Sequence, residues 1–396
     1  MNTKNLLLAF LLLSATGALA QTTDPMITNW WFNTTGNKYK AILTDVEAVY
    51  YTSASVFVKA SGIPNYYADG VTHNDGKDLK ATWEIPRMPV KATTPKGVMG
   101  GQIGLMLDGS VFFPPGDAQS YGGAGVWNRL AYYFEGLDMD ASNGHSTPTN
   151  MYHHHFDNLK LHDFVATKHS PIVAYAWDGY PVYGPYGYKN TDGTGGITRM
   201  VSSYSTKSYT TRTAGPAVDA TYPIGCFIED WQYVAGSGDL DEHNGRFCVT
   251  PEYPSGTYAY FTAVDASLKP TYPYFIGPTF YGNFSASVTG PTGGSSVVPT
   301  GATQYTLSTT ATSQIASIES SISIFPVPVV TELNIQLKAD GDYTVVIYDV
   351  KGAVIEKRTI VSSDKINMGN QPYGVYFVEV TNTADNSGFI KRIVKQ

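Results

Sequence analysis

The chain of 396 residues has little cysteine, little charge and no long apolar run. Its two cysteines, Cys226 and Cys248, exclude a metal site built from thiolates alone and allow at most one disulfide. Charged residues make up only 15% of the sequence and the net charge is −7, so the basic stripe that nucleic acids or anionic membranes require is missing. The longest apolar run, Leu6 to Leu13, falls well short of the roughly 20 residues of a membrane-spanning helix. There is no Gly-x-Ser-x-Gly elbow, no His-Glu-x-x-His pair and no phosphate-cradling glycine loop followed by Lys-Ser/Thr. The usual sequence marks of serine hydrolases, zinc proteases and nucleotide-binding enzymes are therefore absent.

What is present begins with an export signal over residues 1–20. Lys4 supplies positive charge, Leu6 to Leu13 the apolar segment, and Ala18-Leu19-Ala20 a small-residue site for cleavage before Gln21. Glutamine at that position, rather than cysteine, gives no lipidation signal. In an oxidising compartment Cys226 and Cys248 are expected to pair, a bridge contributing about 3 kcal/mol; two buried free thiols are the alternative.

With 29 tyrosines, 17 phenylalanines, six tryptophans and 39 glycines, the chain reads as all-β or predominantly β. Residues 21–284 form a large aromatic-rich β domain in which short alternating runs are punctuated by Gly, Pro and Asn/Asp. The best helical spacing is Gly125 to Glu135, and an aromatic strand fits it as well. Residues 285–321 are rich in Ser, Thr, Gly and Ala and read as a linker. Residues 322–396 return to alternating strands and suggest a small antiparallel β-sandwich.

Chemistry concentrates at histidine. Five of the eight lie between His145 and His162. In a strand, His153 and His155 project from one face about 7 Å apart, with Tyr152 and His154 on the other. The metal candidates are His145, His153, His155 and His162, with Zn or Cu the best-suited ions; Tyr152, Asp178 and Tyr183 are candidates for the surrounding pocket. Half-buried histidines that only pack and hydrogen-bond are the competing reading.

Two Asp-Gly hairpins align without gaps, Ile103 to Phe113 on Val173 to Tyr183. They suggest type I′ turns at Asp108-Gly109 and Asp178-Gly179, and two related halves facing each other. The acidic stretch Asp239 to Arg246 lacks EF-hand spacing and reads as a polar turn, though one able to lend an oxygen ligand. Glu135, Asp138 and Asp140 form a carboxylate trio of the kind that glycoside cleavage uses and that any polar turn also shows.

The large domain resembles the YHYH family of exported bacterial proteins. The resemblance rests on Gly144-His145 ahead of Tyr152-His153-His154-His155, on Asp178 to Gly184, and on Leu240 to Arg246 with Thr250 to Phe261. His154 stands where the family's second Tyr is found. The resemblance marks the site without naming a reaction. Residues 325–396 resemble the type IX secretion C-terminal sorting domain of Bacteroidetes through Phe325-Pro326-Val327-Pro328, Ile347 to Gly352, Tyr373 to Tyr376 and the basic end Ile390 to Lys395. This implies the type IX machinery as partner, secretion or display at the cell surface, and removal of the tail. Two functions from different classes fit: a metal-dependent hydrolase or oxidase, or a surface module whose aromatic groove holds polysaccharide or protein.

Overall fold

The computed structural model describes residues 24–67, 74–98, 100–284, 294–307, 322–337, 341–349, 352–383 and 388–396. The predicted export signal and its cleavage point lie outside these residues, as do Val350 and Lys351 of the sorting motif and much of 285–321. Among the described residues the chain is predominantly β, and no helix is long and apolar enough to cross a membrane.

Strands β1 (Val46–Tyr51), β2 (Ser55–Ala60) and β3 (Ala81–Pro86) form an antiparallel meander. Alternation in β3 sends Ala81, Trp83 and Ile85 into the core. A second sheet contains β4 (Gly104–Met106), β5 (Val111–Phe112), β6 (Gly144–Ser146), β7 (Tyr152–His154), β8 (Ile172–Ala176), β9 (Pro181–Tyr183), β10 (Gly245–Cys248) and β11 (Thr257–Phe261). Its order is β6-β7-β5-β4-β8-β9-β11-β10.

That order is a palindrome about the central antiparallel pair β4–β8. In each half a hairpin, β4–β5 or β8–β9, is joined in parallel by the inner strand of a second hairpin, β6–β7 or β10–β11. The sequence repeat is thus real, but its halves stand side by side in one sheet instead of facing each other. The centre is tight: a Cβ on Gly104 would lie 2.2 Å from the Phe112 ring and 2.5 Å from the Tyr175 carbonyl.

Both Asp-Gly turns depart from type I′. Gly109 and Gly179 have φ of 82° and 87°, whereas Asp108 and Asp178 do not enter the left-handed region. Each is a three-residue loop with the glycine in the bulge position. The aspartate keeps a negative φ and accepts from the backbone N–H two residues on, at Ser110 and Tyr180.

Three further expectations are corrected. The segment Gly125 to Glu135 is mostly not helical: Asn128–Leu130 is a strand, and only Ala131–Phe134 makes a helical turn. Cys226 and Cys248 are free and buried in separate clusters, one against Trp127 and Phe227, the other in the main core. Finally, the expected linker is partly structured. Residues 294–307 lie against the large domain, where β12 (Thr303–Gln304) pairs with the edge strand β1 and the Tyr305 ring meets that of Phe32 at a tilt, centroids 5.6 Å apart.

The C-terminal strands β13 (Ile322–Phe325), β14 (Glu332–Leu337), β15 (Tyr343–Asp349), β16 (Val354–Ile360), β17 (Asp364–Asn367), β18 (Gly374–Asn382) and β19 (Gly388–Lys395) form two antiparallel sheets. They share a core of their own around Leu333, Ile335, Val345, Ile347, Val378 and Ile393.

Candidate metal centre

The β6–β7 hairpin sets His145 directly opposite His153, and strand alternation brings His155 to the same face. All three are buried, at 5%, 2% and 3% exposure, so they lie beneath the surface and not on it. Their Nε2 atoms converge: His145 to His153 is 3.1 Å and His153 to His155 is 3.0 Å. The ring of Phe113 closes one side, with its centroid 4.2 Å from that of His153.

The other ring nitrogens point outward to oxygen. His153 Nδ1 lies 3.1 Å from the Met151 carbonyl, His155 Nδ1 2.7 Å from the Pro114 carbonyl and His145 Nδ1 3.2 Å from Asp138 Oδ2. A carbonyl or carboxylate only accepts, which assigns the proton of each neutral ring to Nδ1 and leaves a lone pair on each Nε2. Three lone pairs within 4.8 Å of one another, two of the separations about 3 Å, repel unless a cation lies among them. Burial and the charges of neighbouring histidines hold His145 below the usual imidazole range and His153 well below it, which favours the neutral, ligating form.

Glu135 ends the helical turn, its N–H bonded to the Ala131 carbonyl. Its Oε2 lies 3.2 Å from His155 Nε2 and 3.7 Å from His145 Nε2. Burial works to raise this carboxyl, but the facing imidazoles and the Arg129 guanidinium leave it below the ordinary range. The sequence offered one sign of this: Glu135 and Asp138 sit three apart in a turn shortly before His145, able to approach one ring from two sides.

The remaining predicted site residues are not brought to this cluster. His162 pairs with Asp157 at 3.0 Å; burial opposes its charge, but the carboxylate holds its pKa above the usual value. Tyr152 points from the opposite face of β7 and donates to Asp140 Oδ2 at 2.6 Å. Asp178 and Tyr183 belong to the other half of the sheet. Asp178 accepts from Tyr260 at 2.7 Å, while the Tyr183 hydroxyl donates to Glu252 and accepts from Thr250, each at 2.8 Å. Four strand steps separate β7 from β9, on the order of 19 Å. In the acidic stretch, Asp241 Oδ1 accepts from the N–H groups of His243 and Gly245 and from the Tyr258 hydroxyl, which makes it a turn cap.

No curated protein matches the chain. Among solved structures, a DUF3244-family protein with an immunoglobulin-like β-sandwich fold from Bacteroides vulgatus is 24% identical over 19% of this chain and 85% of its own, with a TM-score of 0.18. PorZ, an essential surface component of the type-IX secretion system of Porphyromonas gingivalis, is 13% identical over 89% of this chain, with a TM-score of 0.19, and this chain covers about half of it, 51%. Likeness this slight carries no argument. Two family models do match, that of the YHYH protein over residues 82–273 and that of the secretion system C-terminal sorting domain over residues 323–396. The chain is therefore an exported protein that carries a YHYH domain followed by a type IX sorting domain.

Proposed function

We propose that the YHYH domain binds one transition-metal ion, Zn or Cu, through the Nε2 atoms of His145, His153 and His155. The observation that carries this reading is the convergence of three buried lone pairs, each fixed by an outward Nδ1 contact to oxygen. Asp138 and the Met151 and Pro114 carbonyls set the tautomers and ring planes, as outer partners of ligating histidines do. Phe113 keeps bulk water from one side. A bound ion would supply Lewis-acid activation of water for hydrolysis or, if copper, redox chemistry. The rival reading, a surface binding module with structural histidines, accounts less well for the geometry. It leaves the Nε2 lone pairs of three buried rings crowded together with no positive charge among them.

Metal analysis of the exported protein tests the reading. The wild type is expected to carry about one Zn or Cu ion per chain and the His153→Ala/His155→Ala double variant none. Because the neutral ring is the ligand, affinity falls as protons compete. With His145 and His153 held low by burial, the fall is expected below the free imidazole value of about 6.5. Equal and negligible metal in both proteins would sink the proposal.

A further inference from the structure

Resting on that reading, we infer that Glu135 is the fourth ligand, so that the site is a closed three-histidine, one-carboxylate centre facing solvent through the carboxylate. Four protein ligands at bond lengths of 2.0–2.1 Å around a tetrahedral ion lie about 3.3 Å from one another. Four of the six edges of such a figure are present: 3.1 Å for His145–His153, 3.0 Å for His153–His155, 3.2 Å for Glu135–His155 and 3.7 Å for Glu135–His145. The ligand atoms of the three histidines lie within 4.8 Å of one another, and the carboxylate stands beside them, close to two. The fourth corner, where a water would complete a three-histidine site, lies on the side where Glu135 Oε2 stands, and a small inward shift of the carboxylate completes the figure. That oxygen is buried, and the nearest group able to donate to it is His155 Nε2 at 3.2 Å, whose proton the Pro114 carbonyl assigns to Nδ1. A buried carboxylate oxygen with no donor is costly unless something positive meets it.

The placement also fixes the direction of access. The histidine side chains are nearly enclosed, while those of Glu135 and Asp138 are 25% and 28% exposed and Leu137 between them is fully exposed. The segment Glu135 to Asp138 holds His145 at both nitrogens, with Glu135 toward Nε2 and Asp138 behind Nδ1. An ion enters or leaves, and a small anion reaches it, when Glu135 swings outward. This makes Glu135 a gating ligand and the resting centre coordinatively saturated for a tetrahedral ion.

The test uses the full exported chain loaded with Co(II), whose visible spectrum reports coordination number, with azide as the small-anion probe. The wild type is expected to show an intense four-coordinate spectrum that azide leaves unchanged. Glu135→Ala should bind Co(II) at least about tenfold more weakly, and azide should then bind in the vacated corner and shift its spectrum. Thermal melts of the metal-free proteins establish that the variant is folded. If it is not, Glu135→Gln, which keeps the shape and removes the charge, gives the same comparison. Wild-type affinity and spectrum in both variants, or an azide shift in the wild type, would overturn the role of Glu135 while leaving the histidines as ligands. Failure of the wild type to bind Co(II) or Zn(II) would overturn both.

Discussion

Asp178 and Asp45 show how single residues tune this protein away from the histidines. Asp178 is fully buried and accepts from Tyr260, Gly282 and Tyr180, yet burial outweighs those bonds and raises its pKa to about 6. Asp45 is also raised to about 6, chiefly by burial, with the Asn65 N–H pulling the other way. A carboxyl raised on folding contributes stability that is complete below its unfolded value, 3.8, and is lost as pH rises through about 6. Between pH 4 and pH 7 the stability of Asp178→Asn relative to wild type is therefore expected to improve, by up to about 3 kcal/mol. Urea melts at the two pH values measure this as a double difference, in which the altered hydrogen bonding of the amide largely cancels. Parallel pH slopes would refute it. Asp178 was visible in the sequence only as a turn residue, because an Asp-Gly pair encodes the turn and not the depth at which it is packed, and Asp45, followed by Val46, carried no such mark.

At the scale of elements, the β6–β7 and β10–β11 hairpins are built alike. Asp140 caps Gly144 and receives the Tyr152 hydroxyl, as Asp241 caps Gly245 and receives that of Tyr258. Asn143 and Asn244, each just before the glycine, have φ of 67° and 64°. By register His145 corresponds to Arg246, and His153 to Ala259. The second half thus keeps the frame without the imidazoles. A Cβ on Gly144 would lie 2.2 Å from the Tyr152 hydroxyl, and one on Gly245 2.5 Å from that of Tyr258. Gly144→Ala and Gly245→Ala should each destabilise the domain by about 1–3 kcal/mol, but only Gly144→Ala, which displaces β7, should also weaken metal binding. Chemical denaturation and metal titration of the pair check this; wild-type stability in both, or an equal effect on metal, would contradict it.

The two hairpin repeats, the His153/His155 alternation and the sorting tail were all legible in the sequence, since period and turn residues carry them. The β6–β7 register that sets His145 opposite His153, the entry of Glu135 and the distance of Tyr183 were not. Each depends on strand order and side-chain direction, which composition and spacing do not state. The disulfide expectation failed for the same reason: compartment and count allow a bridge, while packing puts the two thiols in different clusters.

For the whole molecule, two cores separated along the chain predict that the tail can be removed without unfolding the rest. Deletion of Phe325 to Gln396 is expected to leave the metal-binding domain folded, by its unchanged near-ultraviolet dichroism, and to strand the protein in the periplasm. Appearance of the truncated protein outside the cell at the wild-type level would rule out the sorting role. The cut should not be made earlier. Because Thr303 and Gln304 return to pair with Tyr51 and Tyr50, the first sheet keeps an open edge during synthesis until the whole of the large domain has been made. For that interval β1 is a template for any passing strand, including one from a second copy. Seating of β12 seals that edge, so a cut that releases the large domain is expected to fall beyond Tyr305.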